Sequence, residues 1–385
     1  MIQFDFSTSP LIIFHSGMVK DVGKVASEFG TKALLVTGTH IQIASSIKQY
    51  LVSSGLNVTE FVREGEPTNQ TIKEGVKLAK SAGIDLVIAC GGGSSIDAGK
   101  AISALMTNQG ELEDYLEVVG KGLPVSNQAA PLIAIPTTAG TGSEVTRNAV
   151  IRILSLGIKV SLRGQKIIPR VAIIDPELTL QLPPQITAYT GMDALAQLIE
   201  PFLALKSNPL TDAICLEGMK RSKRSLLKAF ESGDDITARE DLSLASLFSG
   251  IALANSGLGA VHGIAGVIGG MTPAPHGALC ARLLPYVFEA NAHFIAEVDR
   301  ESSAYGKMIM IGKVLLDSEA HDINETIDYL KDLVEKLKID NLQSFGVHAK
   351  DFPAIIEHSL SSSSMKGNPV PLSREQIKRI LEKAF

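Results

Sequence analysis

Several features that mark particular protein classes are scarce in this sequence. The three cysteines, Cys90, Cys215 and Cys280, are odd in number and form no Cys-x-x-Cys pair. This argues against a scaffold held together by disulfides. Clusters of lysine and arginine are absent and the formal net charge is -5. Nucleic acid and anionic membrane surfaces are therefore not expected as partners.

Long apolar runs are also missing. None reaches the length of a membrane span, and the segment Met1–Phe6 lacks the basic-then-apolar pattern of a signal peptide. We therefore expect a cytoplasmic protein. With 45% hydrophobic and 20% charged residues among 385, the composition is that of a well-packed, soluble, enzyme-like chain. Its length suggests two domains of ordinary size.

A glycine turn follows a short apolar run in the first half of the chain. Leu86–Cys90 has no helical spacing, which predicts a buried parallel strand that ends at Gly91-Gly92-Gly93. Ser94 and Ser95 are expected to cap the helix that follows. Uncovered backbone amides at a helix N-terminus suit a pyrophosphate. Because the spacing is not Gly-x-Gly-x-x-Gly, a plain strand-to-helix turn is the alternative.

Strand and helix patterns alternate throughout this half. Strands are predicted at 11–14, 33–36, 58–61, 86–90, 131–136 and 171–174, with helices at 19–29, 41–54 and 70–82. This alternation favours a doubly wound, mostly parallel sheet with a ligand crevice at the carboxyl ends of its strands. Beyond Pro183-Pro184 the apolar spacing becomes helical. We predict an α/β dinucleotide-binding domain over residues 1–182 and an all-α metal- and substrate-binding domain over 183–385.

A second turn rich in hydroxyls and glycine, Thr137–Thr146, follows the strand at 131–136. Such turns at neighbouring strand ends converge on one edge of a parallel sheet, so we favour a cofactor contact over a plain polar loop.

The helical half carries a set of residues typical of metal ligands. Asp193 and Gln197 are four residues apart and so share a helix face, and His262 and His276 follow in glycine-rich surroundings. An aspartate and two histidines from separate helices would bind a divalent cation such as Fe²⁺ or Zn²⁺. The alternative for each residue is a buried polar group without a metal.

These motifs in this order resemble the iron-containing (group III) alcohol dehydrogenase family. The resemblance extends from about residue 10 to the end of the chain and is carried by Gly91–Lys100, Pro136–Thr146, Asp175-Pro176, Gly191–Leu195, His262-Gly263 and His276-Gly277. It implies a dehydroquinate synthase-like fold and hydride transfer between NAD(P) and a small alcohol or carbonyl compound. It further implies a divalent metal, Fe²⁺ or Zn²⁺, and a homodimer that pairs strands near the N-terminus.

The resemblance also assigns roles to individual residues. Three of the four metal ligands match Asp193, His262 and His276. The pyrophosphate turn matches Gly92, Gly93, Ser94 and Ser95, and Asp97 matches a residue near the nicotinamide. The remaining cofactor contacts match Thr137, Thr138, Thr141 and Asn148 in the second loop, Lys159 at the ribose and Leu178 at the adenine.

Three positions depart from the pattern of the family. Gln197 stands where the family usually has a histidine ligand, and an amide oxygen binds iron or zinc more weakly than imidazole. Gly266 replaces a histidine near the substrate, so we expect the proton to travel through water and the cofactor ribose. Gly38 replaces an aspartate that repels a 2′-phosphate, which favours NADP over NAD. Thr39 or His40 would then contact that phosphate, or lie in a plain surface loop.

The sequence is also compatible with two other functions. One is a metal-independent reductase of the maleylacetate reductase type, and the other is a cofactor-binding protein whose metal site has lapsed. A phosphate-eliminating cyclase on a related scaffold is disfavoured because the sequence shows no basic cluster that would hold a substrate phosphate.

Overall fold

The computed structural model describes residues 3–39, 41–319 and 322–385. They form two compact units. The α/β unit consists of Ser7–Thr138 and Gly142–Leu180. The helical unit consists of Gln181–Phe385, Ala139–Thr141 and the residues that precede Ser7.

The α/β unit is built on a six-stranded sheet in the order β1-β8-β5-β4-β2-β3, in which every neighbouring pair is parallel. The elements in chain order are β1 (Leu11–Phe14), α1 (Val22–Ser27), β2 (Lys32–Thr37), α2 (Ile41–Ser53), β3 (Asn57–Val62), α3 (Asn69–Ser81), β4 (Leu86–Gly91), α4 (Gly93–Thr107), α5 (Leu112–Tyr115), β5 (Leu132–Pro136), β6 (Asn148–Ile153), β7 (Ile158–Arg163) and β8 (Val171–Ile174). Strands β6 and β7 form a separate antiparallel hairpin. The helix predicted at 19–29 is a 3₁₀ turn, Met18–Asp21, followed by the short α1.

The central strands are apolar along their whole length because both faces of the sheet are covered. In β4, Val87 and Ala89 point into one core while Leu86, Ile88 and Cys90 point into the other. A strand buried on both sides reads as a continuous apolar run rather than an alternating one. This is why Leu86–Cys90 lacks any periodicity in the sequence.

The sheet has a topological switch point between β2 and β4. From β2 the chain moves outward to β3, whereas from β4 it moves the opposite way to β5. Open α/β sheets bind ligands outside the carboxyl ends of the strands at such a point. Thr37 pairs with Cys90 and Gly91 pairs with Pro136, so the three strands end at one edge.

Helix α4 begins two residues earlier than capping by Ser94 would place it. Its N-cap is Gly92, with no side-chain capping bond, so the prediction that Ser94 and Ser95 cap this helix is wrong. The preceding residue, Gly91, has a φ of 146°, and a Cβ there would lie 2.4 Å from the Ser95 hydroxyl. Glycine is therefore required at this turn. The turn presents backbone amides at the start of α4.

The helical unit contains α6 (Pro184–Leu203), α7 (Pro209–Glu231), α8 (Ile236–Ser256), α9 (Ala260–Met271), α10 (His276–Val298), α11 (Ser303–Leu316), α12 (Ile323–Lys336), α13 (Phe352–Ser361) and α14 (Arg374–Ala384). These helices enclose one large apolar core. The mostly parallel sheet and the helical C-terminal half confirm the predicted fold class. Within the described ranges no single helix is both long and apolar enough to cross a membrane, and α8 with α9 meets that test only as a pair bent by 99°.

Candidate metal and cofactor sites

Three helices of the helical unit bring the predicted metal ligands together. Asp193 lies in the middle of α6, His262 in the first turn of α9, and His276 is the first residue of α10. Glycine is required after His276 for a steric reason. A Cβ on Gly277 would lie 2.5 Å from the backbone oxygen of Tyr189, so only glycine allows α10 to approach α6 this closely.

The ligand atoms converge on one point. Asp193 Oδ1 lies 3.3 Å from His262 Nε2 and 3.8 Å from His276 Nε2. Cys280 Sγ lies 3.5 Å from His276 Nε2. One atom from each of these four residues lies within 4.8 Å of the other three. The structure therefore groups Asp193, His262 and His276 as the sequence predicts and adds a thiol.

Two of these atoms have no hydrogen-bond partner among the residues that the structure describes. Asp193 Oδ1 and His262 Nε2 are buried without one, although they are only 3.3 Å apart. Burying an unsatisfied carboxylate oxygen or ring nitrogen is costly. A divalent cation would satisfy both atoms at once, so the residues present fit a metal.

The electrostatics of the cluster favour a positive charge at this point. Burial raises the pKa of Asp193, but His262 and His276 outweigh this effect and the pKa falls below its ordinary value. Burial lowers the pKa of His262, but Cys280, Glu200 and Asp193 raise it well above its ordinary value. The carboxylate is thus kept ionised. Without a metal, the imidazole attracts a proton to the same place.

Glu200 orients one of the histidines. Its Oε2 lies 2.5 Å from His262 Nδ1, and its Oε1 accepts from the backbone N–H of Val261 at 2.6 Å. A carboxylate on one ring nitrogen holds the proton there and leaves the other nitrogen with its lone pair exposed. Glu200 therefore aims His262 Nε2 at Asp193.

Exchanging Glu200 for glutamine is expected to weaken zinc binding by about 10- to 100-fold. The substitution keeps the size of this buried side chain but removes the charge that supports His262. Competition with a fluorescent chelator measures the change in affinity. Glu217→Gln, at a half-exposed glutamate on α7 paired with Arg221, is the control and should bind as the parent does. An unchanged affinity in Glu200→Gln would contradict the orienting role.

Gln197 lies one turn after Asp193 and is 3% exposed. Its Nε2 donates to the backbone oxygen of Thr141 at 3.0 Å and to the Ser249 hydroxyl at 3.1 Å. The amide nitrogen is thus held by the protein, and the amide oxygen is the side-chain atom left for a ligand. Coordination by Gln197 stays a prediction.

The residues predicted to hold the pyrophosphate surround the glycine turn. Gly92, Gly93 and Ser94 are half-buried and Ser95 is buried. A Cβ built on Gly92 would lie 3.5 Å from the Thr138 hydroxyl, so the first and second predicted cofactor turns are in contact. Thr137 is buried, and its N–H donates to the backbone oxygen of Gly91 at 3.0 Å.

An arginine that sequence reasoning missed lies beside this turn. Arg63 Nη2 donates to the Ser95 hydroxyl at 3.1 Å, and a Cβ on Gly38 would lie 3.8 Å from the same hydroxyl. Burial lowers the pKa of Arg63 to about 10, although Asp97 and Glu66 raise it. The guanidinium remains charged at neutral pH. A cation therefore lies next to Gly38, the position at which the family has an aspartate.

Asp97 is engaged by protein groups. Its Oδ1 accepts from the Ser143 hydroxyl at 2.5 Å and from Lys100 Nζ at 3.3 Å, and its Oδ2 accepts from the N–H of Val150 at 2.9 Å. Lys100 is fully buried and also donates to the backbone oxygen of Asn148. This network fastens the start of β6 to α4. A nicotinamide contact by Asp97 stays a prediction.

The other predicted cofactor residues differ in their exposure and in the contacts that they make. Lys159 Nζ forms an ion pair of 2.5 Å with Glu66. Leu178 is half-buried and packs on the core that contains Val19. Thr39 is exposed, and His40 lies outside the described residues. Thr141 belongs to the helical unit, where its backbone oxygen accepts from Gln197.

Three residues of these sites were not predicted from the sequence, although the spacing of two of them along a helix indicates their position. Cys280 follows His276 by four residues, the spacing that placed Asp193 with Gln197 on one helix face. Glu200 follows Asp193 by seven residues, which is two turns on the same face. Arg63, one residue past β3, has no such signal in the sequence, because its hydrogen bond with Ser95 depends on the order of the strands in the sheet.

Known proteins resemble this chain along its whole length. The model for "Iron-containing alcohol dehydrogenase" matches residues 9–176, and that for "Fe-containing alcohol dehydrogenase family, C-terminal" matches 187–385. Alcohol dehydrogenase 4 of Saccharomyces cerevisiae is 35% identical, covering 99% of this chain and 98% of that protein. The 1,3-propanediol dehydrogenase of Klebsiella pneumoniae is 31% identical, covering 100% and 99%. A crystal structure of 1,3-propanediol oxidoreductase superposes with a TM-score of 0.92 at 30% identity, over 100% of both chains.

Proposed function

This chain belongs to the iron-containing alcohol dehydrogenase family and is an oxidoreductase acting on CH–OH groups, and we propose that it transfers hydride between NADP(H) and a small alcohol or aldehyde with the help of a bound divalent metal. The metal is Fe²⁺ or Zn²⁺. The observation that carries this proposal is the pair of unsatisfied buried atoms, Asp193 Oδ1 and His262 Nε2.

Each residue of the cluster has a defined task. Asp193, His262 and His276 hold the cation, and Glu200 keeps Nε2 of His262 available to it. When bound, a divalent cation supplies Lewis-acid polarisation of the substrate oxygen. His276 is the most exposed ligand, with a side chain 35% accessible, whereas the side chain of Asp193 is 3% accessible. The substrate therefore approaches from the side of His276.

The cofactor is held at the switch point of the sheet. Backbone amides of the turn at Gly92 and Gly93, together with the positive end of α4, bind the pyrophosphate. The nicotinamide ring carries the hydride, and the chain supplies orientation. Gly38 leaves room and no negative charge for a 2′-phosphate, and the nearby Arg63 adds a positive charge. This combination supports NADP over NAD.

A proton must leave when an alcohol is oxidised. Gly266 is exposed, and a Cβ at this position would meet no atom of the described residues within 4 Å. Water therefore has room where the family has a histidine. This supports proton transfer through water and the cofactor ribose.

A homodimer is part of the proposal. In the described part of the chain, strand β1 is the last strand on one edge of the sheet and pairs with β8 on one side only. Its first residue, Leu11, is 44% exposed. An uncovered parallel edge with apolar side chains is suited to pairing with a second copy.

Metal removal tests the proposed function. After dialysis against a strong chelator, NADPH-dependent aldehyde reduction is expected to fall by about 100-fold or more and to return when Fe²⁺ or Zn²⁺ is added. Nicotinamide absorbance follows the reaction, and NADPH fluorescence checks that the apoprotein still binds its cofactor. Full activity after chelation would instead favour a metal-independent reductase. Cofactor binding without turnover even after Fe²⁺ or Zn²⁺ is added would favour a lapsed site.

A further inference from the structure

We propose that Cys280 is the fourth metal ligand of this protein, in the place that Gln197 would otherwise take. The inference rests on the proposed metal site and assigns its coordination as one carboxylate, two imidazoles and one thiolate. Cys280 lies one turn after His276 on α10 and is completely buried. Its Sγ lies 3.5 Å from His276 Nε2 and belongs to the same cluster of four ligand atoms.

Three of the six separations among the four ligand atoms match a tetrahedral metal site, and all six lie within 4.8 Å. Ligand atoms about 2.0 to 2.3 Å from a tetrahedral zinc ion lie about 3.3 to 3.8 Å from one another. The separations from Asp193 Oδ1 to the two histidines are 3.3 and 3.8 Å, and that from His276 to Cys280 is 3.5 Å. Small side-chain adjustments therefore suffice to place a cation among the four atoms.

The cluster is more than a lone buried cysteine. Two side chains that are at least nine-tenths buried, Asp193 and His262, each direct an unpartnered atom at the space beside the sulfur. If Cys280 only filled space in the core, the buried polar atoms around it would have hydrogen-bond partners. The unpartnered carboxylate and imidazole atoms instead indicate a shared ligand.

The amide nitrogen of Gln197 is already held by hydrogen bonds to other residues. Its amide nitrogen binds Thr141 and Ser249, whose hydroxyl donates in turn to the backbone oxygen of Gly140. Gln197 therefore fastens Gly140–Thr141 to α6 and α8. Replacing imidazole with an amide at this position removes a strong ligand, and the thiol one turn after His276 restores the count to four.

The assignment changes which metal is preferred. A thiolate is a soft ligand that selects zinc, whereas an oxygen and nitrogen set also suits iron(II). The thiol proton passes to solvent when the metal–sulfur bond forms. We therefore expect zinc to outcompete Fe²⁺ more strongly in this protein than in the variant Cys280→Ser.

X-ray absorption at the zinc edge tests the assignment directly. The zinc-loaded protein is expected to show one sulfur neighbour at about 2.3 Å among nitrogen and oxygen neighbours at about 2.0 to 2.1 Å. In Cys280→Ser the sulfur neighbour should disappear, and the zinc dissociation constant should rise by about 100-fold. Cys215→Ser is the matched control, since Cys215 is equally buried but lies outside the cluster.

The possible outcomes separate the two proposals. Zinc bound with nitrogen and oxygen neighbours alone would overturn the role of Cys280 and leave the metal site intact. A sulfur neighbour that persists in Cys280→Ser would also overturn it. Failure of the parent protein to bind zinc, cobalt or iron would overturn the proposed function as well. The spectrum of the parent protein tests whether a sulfur atom binds the zinc even if the variant does not fold.

Discussion

Asp193→Ala is expected to release the metal and lower kcat/KM by about 1000-fold or more. Asp193 is the one carboxylate of the cluster, its Oδ1 is 3.3 Å from His262 and 3.8 Å from His276, and it is 2% exposed. Without it, two imidazoles and a thiol remain to neutralise a dication in a buried site. Elemental mass spectrometry gives metal per chain, and initial rates with NADPH and a small aldehyde give activity.

Asp193→Asn is the matched control for this experiment. Asparagine has nearly the same volume and keeps one carbonyl oxygen, so it removes the charge and little else. We expect it to lose metal affinity while retaining the unfolding temperature of the metal-free parent. If either variant kept its activity within tenfold of the parent, catalysis through a metal at Asp193 would be refuted.

Gly38→Asp is expected to lower the preference for NADP over NAD by about 100-fold, or about 3 kcal/mol. The position accepts a side chain, because a Cβ there would have the Ser95 hydroxyl as its nearest neighbour at 3.8 Å. A carboxylate would repel the 2′-phosphate. It would also neutralise Arg63, which donates to the same hydroxyl. The ratio of kcat/KM values for the two cofactors measures the effect.

Gly38→Asn distinguishes charge from size. It has almost the same shape as aspartate but no charge, so the NADP/NAD ratio should change by only a few-fold. Arg63→Ala should shift the ratio in the same direction as Gly38→Asp, because it removes the nearby cation. An unchanged ratio in Gly38→Asp would refute the argument for NADP.

Local patterns were sufficient to predict the framework of the α/β unit. The run Leu86–Cys90 lacks periodicity because both faces of β4 are buried, and the three glycines mark its end. The same reasoning failed for the helix start, where Gly92 rather than a serine is the N-cap. Serine propensity at N-caps is a statistical preference, whereas the close packing of Gly91 on Ser95 is a three-dimensional constraint.

The metal site was only partly predictable. Asp193, His262 and His276 stood out because their side-chain chemistry is rare in apolar helices. Cys280 did not, because a single cysteine in an apolar helix is usually a small core residue. Its significance depends on α10 lying close enough to α6 for a sulfur and a carboxylate to meet, and that approach depends on Gly277.

The metal content of the parent protein, purified anaerobically without chelator or nickel resin, shows whether this chain binds the metal on which its activity would depend. Elemental mass spectrometry is expected to find about one Fe or Zn per chain, in protein that oxidises or reduces a small substrate with NADP(H). Metal-free protein that retains full turnover, and gains none when Fe²⁺ or Zn²⁺ is supplied, would refute metal-dependent catalysis by this protein.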